Sequence, residues 1–157
     1  MKTITTRPHV NNDSIRIAVV VSQFNNFITS RLHLGCVDHL RKCGVAAKHI
    51  TIVEVPGAFE LPLVAKKLIH TQNYDVIITL GAVIRGETDH YDYVCHQASY
   101  GCQQVALETG CPVIFGVLTT DNEEQALARV GGRHGHKGVD AASAALMMFD
   151  IIDQIQS

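Results

Sequence analysis

Val76-Ile77-Ile78-Thr79-Leu80-Gly81-Ala82-Val83-Ile84-Arg85-Gly86-Glu87-Thr88-Asp89-His90-Tyr91 begins as an apolar, β-branched run and ends as a polar turn. The run is too β-branched for a helix, so residues 75–84 read as a parallel strand buried on both faces. Gly86, Glu87 and Thr88 then form a turn ahead of a helix over 91–109. The free N–H groups and dipole of a helix start favour an anion such as phosphate. His90 stands beside that turn, and imidazole exchanges protons near neutral pH. A lone histidine there more often caps its helix or fills a polar gap; a strand-end anion turn next to it favours chemistry. Glu87 is awkward, because a carboxylate aimed at phosphate repels it. The turn works if its amides face the ligand, Glu87 points away, and a cation such as Arg129 or Lys137 assists.

Outward from this stretch the pattern repeats. Residues 15–21 are apolar apart from Arg16 and read as a strand, and Asn25 or Asn26 can cap the helix that follows. In that helix Ile28, Leu32, Cys36, Leu40 and Cys43 recur at helical spacing and Gly44 ends it. A strand over 49–55 closes at Pro56-Gly57 and leads into a helix over 58–71, with Pro62 in its first turn. Residues 112–118 form the fourth strand. Thr120-x-x-Glu123 is a capping-box pattern for a helix to about residue 130. The glycines of 131–138 read as a hinge between two helices, the last spanning 139–155 with Val139, Ala142, Leu146, Phe149 and Ile152 inward.

Strands alternating with helices, with no hairpin signal, predict an α/β fold. Right-handed crossovers make it a flavodoxin-like three-layer sandwich, a four-stranded parallel sheet with helices on both faces. Residues 15–157 form a single domain, and residues 1–14 an N-terminal arm that is poorly ordered or adds an edge strand.

Composition narrows the function. The 157 residues are 46% apolar with a net charge of −2, and no cluster of Lys or Arg marks a nucleic-acid surface. No apolar run approaches the ~20 residues that span a bilayer, and the polar first residues lack a signal's apolar core, so the expected location is the cytoplasm. Five cysteines without a C-x-x-C pair read as small buried hydrophobes rather than disulfides or zinc ligands. His134-x-His136 could chelate a metal, yet no third ligand falls at a recognisable spacing, so no metal is expected.

Ligands of an open parallel sheet bind beyond the carboxyl ends of its strands. Phe24 follows a strand in a polar turn, where it either stacks on a planar ligand or simply packs. Glu60 opens a helix, where the dipole favours a carboxylate; it could also accept hydrogen bonds from a polyol. The glycine-rich 131–138 stretch lacks Walker spacing, and no G-x-G-x-x-G follows the first strand.

Phe24-Asn25, Val55-Pro56-Gly57-Ala58-Phe59-Glu60-Leu61-Pro62, the Leu80–Tyr91 stretch, Phe115-Gly116-Val117-Leu118-Thr119-Thr120 and Gln125-Ala126-x-x-Arg129 occur in this order. Together they resemble the lumazine synthase (6,7-dimethyl-8-ribityllumazine synthase) family from about residue 15 to the C-terminus. The resemblance implies a transferase of riboflavin biosynthesis that condenses 5-amino-6-(D-ribitylamino)uracil with 3,4-dihydroxy-2-butanone 4-phosphate, releasing phosphate and water. It implies that Phe24 stacks on the pyrimidine, that Ala58, Phe59 and Glu60 meet the ribityl chain, and that Ala82, Val83 and Ile84 contact the pyrimidine edge. Glu87 and Thr88 would bind phosphate and His90 would transfer protons. Phe115 and Arg129 would come from a neighbouring subunit, Phe115 over the ring and Arg129 on phosphate.

The resemblance further implies a homo-oligomer of pentamers with shared active sites. The compact 131–138 stretch is similar to that of members forming icosahedral shells, rather than pentamers or decamers. Two departures stand out: Gln23, where the family often has a basic residue, and His136, where asparagine is common. Two other classes compete. A flavin-binding protein using the same pocket would lose the proton shuttle; a phosphosugar isomerase would want a carboxylate or lysine base, for which Glu60 is the candidate.

Overall fold

The computed structural model describes residues 1–157. Strands β1 (Ile17–Ser22), β2 (Ile50–Val55), β3 (Val76–Ile84) and β4 (Val113–Thr120) form one parallel sheet in the order β2-β1-β3-β4. Helices α1 (Asn26–Lys42), α2 (Leu61–His70), α3 (His90–Thr109), α4 (Glu123–Leu127) and α5 (Lys137–Gln156) connect and follow them.

The two-residue period of a strand sorts the core. Ile17, Val19 and Val21 of β1 and Val76, Ile78 and Leu80 of β3 face α1 and α5, whereas Ala18, Val20 and Ile77 face α2 and α3. Both central strands are therefore buried on both sides, and each fully buried Val, Ile or Leu contributes about 1.5–3 kcal/mol. The expected flavodoxin-like sandwich is the observed one. No helix is long and apolar enough to cross a membrane.

Helix α5 buries Ala142 as expected, with Leu146 and Phe149 packed against the core, but its most buried face is made of smaller residues than the pattern suggests. Gly138, Ala141, Ala142 and Ala145 are buried, while Leu146 and Phe149 are only half-buried at the edge of the core. Helix α1 runs too close for larger groups: a methyl on Gly138 would overlap the Leu32 carbonyl.

Two further expectations are corrected beyond β4. The capping residue of α4 is Asn122, whose side chain accepts from the Gln125 amide at 2.9 Å, while the Thr120 hydroxyl donates to the Asn122 carbonyl. The glycine stretch is not a hinge: β5 (Val130–Gly132) and β6 (Gly135–His136) pair as a small antiparallel hairpin. Gly131 and Gly135 lie at φ 102° and 77°, a region that glycine enters without steric cost.

The arm adds no strand to the sheet. It lies along α5, where the Arg7 amide and Nε donate to the buried Asp150 carboxylate at 2.7 and 2.6 Å and Gln154 Nε2 donates to the Thr5 carbonyl. The cysteines are unpaired, and burial pushes the Cys36 thiol up to about 12 and those of Cys102 and Cys111 to about 11. Such thiols stay protonated and poorly nucleophilic at neutral pH.

Candidate active site

The strand order reverses between β1 and β3, since the chain runs from β1 outward to β2 and then returns past β1 to β3. A reversal of this kind leaves a crevice at the carboxyl edge, because successive crossovers pass to opposite faces. A cleft of about 590 Å³ opens at that place, lined by segments 56–60 and 82–94 together with Phe24.

Each wall has a local cause. Beyond β1, the amides of Gln23 and Phe24 donate to the carbonyls of Val55 and Pro56, which carries the β1/β2 pairing past the strand ends. Asn25 then adopts a left-handed conformation (φ 58°), and the chain turns into α1 with Phe24 left 72% exposed. The expected asparagine cap is absent. Asn25 Nδ2 instead donates to the Ala82 carbonyl at 2.8 Å, tying the ends of β1 and β3 together across the crevice.

After β2, residues 58–60 form one 3₁₀ turn. Glu60 Oε2 accepts from the Gly57 amide at 3.0 Å, so the carboxylate holds its own loop in shape. That bond uses one oxygen and leaves further acceptor capacity on the carboxylate. Phe59, 54% exposed, adds a second ring to this wall.

At the end of β3, Arg85 anchors the loop that leads to His90. Its amide donates to the Thr120 carbonyl, its Nε donates to Asp121 at 3.0 Å, and its guanidinium lies 4.2 Å from the centre of the Tyr91 ring. Those anionic partners, the Asp121 hydrogen bond first, raise the Arg85 pKa further and keep it charged. The amides of Gly86, Glu87, Thr88 and Asp89 have no hydrogen-bond partner within the chain, while the His90 amide makes a long bond to Thr88 Oγ1 at 3.4 Å. Exposed amides at the start of a 20-residue helix provide the donors an anion needs. Gly86, Thr88 and His90 line the cleft, whereas Glu87 does not.

A second cleft of about 280 Å³ lies beside β4, lined by Val117–Thr120, Arg129, His134, Lys137 and Asp140. Arg129 Nη1 donates to the Gln125 carbonyl at 2.8 Å, and the Lys137 amide donates to the Arg129 carbonyl at the same distance. Phe115, on the edge strand β4, packs half-buried towards α2 and α3.

One cleft thus gathers Phe24, Ala58, Phe59, Glu60, Ala82, Val83, Ile84, Thr88 and His90, but not Glu87, Phe115 or Arg129. Sequence reasoning missed Tyr91, Tyr93 and Val94, which line the cleft from the first turns of α3, and the anchoring role of Arg85. The first three carry a signal, since helix positions next to a proton-transfer candidate share its surroundings. Arg85 carries none, because an arginine after a strand reads as a solvated charge.

Known proteins resemble the chain along nearly its whole length. The family model described as 6,7-dimethyl-8-ribityllumazine synthase matches residues 14–153. Proteins named 6,7-dimethyl-8-ribityllumazine synthase from Coxiella burnetii strains CbuG_Q212 and RSA 493 / Nine Mile phase I are each 52% identical over 147 residues, covering 94% of this chain and 97% of theirs.

Proposed function

The chain belongs to the 6,7-dimethyl-8-ribityllumazine synthase family of enzymes, and on that footing we propose that it joins 5-amino-6-(D-ribitylamino)uracil to 3,4-dihydroxy-2-butanone 4-phosphate. The products are 6,7-dimethyl-8-ribityllumazine, phosphate and water, in the penultimate step of riboflavin biosynthesis. The observation that carries this reading is one cleft lined by an exposed ring, Phe24, a carboxylate, Glu60, and an imidazole, His90, beside unpaired amides.

The pyrimidine stacks on Phe24, with its edge against the backbone of Ala82, Val83 and Ile84, and the ribityl chain runs along Ala58, Phe59 and Glu60. The phosphate sits against Thr88 and the amides of the Gly86–Asp89 turn; Glu87 contributes through its backbone. In this pose the pyrimidine's 5-amino group attacks the ketone carbon. His90 moves protons as the carbinolamine loses a first water to an imine and phosphate is eliminated to leave an enol that tautomerises to a ketone. The ribityl-bearing nitrogen attacks that carbonyl and expels a second water to close the ring. Holding two flexible substrates in register supplies most of the acceleration, on the order of 7 kcal/mol in favourable cases. Proton transfer adds roughly 10²- to 10⁴-fold.

The departing phosphate needs countercharge, and the first cleft has no Lys or Arg in its lining. Arg129 of an adjacent copy supplies it, and Phe115 of that copy closes over the ring. Such sharing calls for a homo-oligomer, a pentamer as the repeating unit and pentamers closed into an icosahedral shell, with pentamer or decamer the simpler forms. The work is cytoplasmic and uses neither metal nor redox cofactor. Incubating the purified protein with both substrates should yield fluorescent lumazine and one phosphate per turnover. No fluorescence with either phosphate enantiomer would overturn the assignment.

A further inference from the structure

The hairpin beside the second cleft is held by Val130 in the core, by the His134 and Lys137 amides on the carbonyls of Ala128 and Arg129, and by one imidazole. His136 occupies the capping position of α5 in an extended conformation (φ −138°, ψ 103°), and its Nδ1 accepts from the amides of Gly138 at 3.1 Å and Val139 at 3.4 Å. Accepting those bonds requires a lone pair on Nδ1, a role open to the ring when its one proton is on Nε2. The ring also fills a slot on α1 that only glycine leaves open. A methyl on Gly35 would overlap three of its atoms, and one on Gly138 would meet its Cε1 at 3.1 Å.

The neighbours of this plug are the cations of the second cleft. Lys137 follows it directly, the Lys137 amide is bonded to the Arg129 carbonyl, and His136 itself pairs with Val130, the residue after Arg129. We propose that His136 is a positioning residue for Arg129 and Lys137: as cap of α5 and plug of the Gly35 slot, its neutral ring holds both cations at the cleft, and its protonation releases them. This rests on the reading of that cleft as the countercharge for the substrate's phosphate.

The direction of the effect follows from the bonding. A second proton turns Nδ1 from acceptor into donor against two N–H groups and places a positive charge at a helix start, where the dipole opposes it. The cap is present while the ring is neutral and lost when acid charges it. Ionisable groups around the ring are Arg31, His33, Asp38 and His39 of α1, within about one turn of Gly35, Arg129, Arg133 and His134 around the hairpin, and Lys137 and Asp140 at the start of α5. His39 is engaged with the Ser143 hydroxyl at 2.9 Å. All nine are unchanged in a variant at 136, so comparing variant with native protein isolates the one ring.

The test measures orthophosphate affinity of the intact assembly and amide exchange at Gly138 and Val139 in the native protein, His136→Ala, His136→Asn and Arg129→Ala. Losing the cap should speed exchange in His136→Ala about three- to thirtyfold and weaken orthophosphate about threefold, whereas asparagine, a good cap, should restore both to within about twofold. Between about pH 8 and 5, native affinity should fall relative to His136→Asn, whose cap does not titrate. Taking the ratio at each pH cancels the pH dependence common to both proteins, that of orthophosphate included. A flat ratio overturns the proposal, even if His136→Ala fails to fold. So does an alanine variant that binds like native protein, or an asparagine variant as weak as alanine. Arg129→Ala binding orthophosphate normally would instead overturn the reading of the cleft.

Discussion

The two clefts at the carboxyl edge of the sheet are made of opposite materials. The first is walled by Phe24, Phe59, Tyr91, Tyr93 and aliphatic groups, with His90 its single imidazole and Glu60 its single carboxylate. The second is walled largely by hydroxyls and by Arg129, His134, Lys137 and Asp140. They lie on neighbouring strands, since Val83 pairs with Thr119 and Ile84 with Thr120, yet no residue lines both. The difference is one of chemistry, an apolar, ring-lined cleft beside a polar, charged one. On the proposed reading the first takes the flat heterocycle and its hydroxylated tail, and the second, from another copy, supplies the countercharge for phosphate.

The largest expected effect tests that division directly. Dilution below the concentration at which the assembly dissociates should abolish turnover per chain, with light scattering reporting assembly in the same samples. Activity strictly proportional to concentration through dissociation would show that one chain suffices. Next, His90→Ala should lower kcat about 10²-fold while leaving assembly intact; unchanged turnover would remove His90 from proton transfer and reduce the first cleft to a binding surface.

Arg129→Ala, in the other half, should leave kcat closer to native and act through binding. Charge-assisted hydrogen bonds are worth about 1.5–3 kcal/mol, so the KM for the butanone phosphate should rise about tenfold or more. The KM for the pyrimidine should change much less, because only the butanone carries an anion. Equal effects on both would mean that the second cleft is not the phosphate's partner.

How far each half was legible follows from the signals its residues carry. Strands β1 and β3 announce themselves because burial on both faces leaves only apolar side chains, and the strand-end rule then locates Phe24, Glu60, Thr88 and His90. The cationic half was hidden. Its hairpin is built from glycines at positive φ without an Asn-Gly turn, and its helix α5 buries glycine and alanine, whose small size is invisible to hydrophobic periodicity but sets how closely α1 can approach. Asn25 misled for a related reason: a left-handed backbone turned its amide from the helix start to the Ala82 carbonyl. On the proposed reading Phe115 and Arg129 act from a second copy, and no residue pattern within one chain expresses such a placement.

The smallest effect sharpens the comparison from the apolar side. Phe24 is 72% exposed and makes no part of either core, so Phe24→Ala removes almost no buried surface, and the melting temperature should be unaltered. Ring stacking contributes about 0.5–1.5 kcal/mol beyond burial, so the KM for the pyrimidine should rise about three- to tenfold, with that for the butanone phosphate unmoved. This is the mirror image of the Arg129 result, and the pair of variants forms a cycle. If the half-sites act on separate substrates, Phe24→Ala and Arg129→Ala should multiply within about twofold, since groups without shared partners have additive energies. Strong coupling between them would mean that each cleft grips both substrates, and the division by chemistry would be wrong.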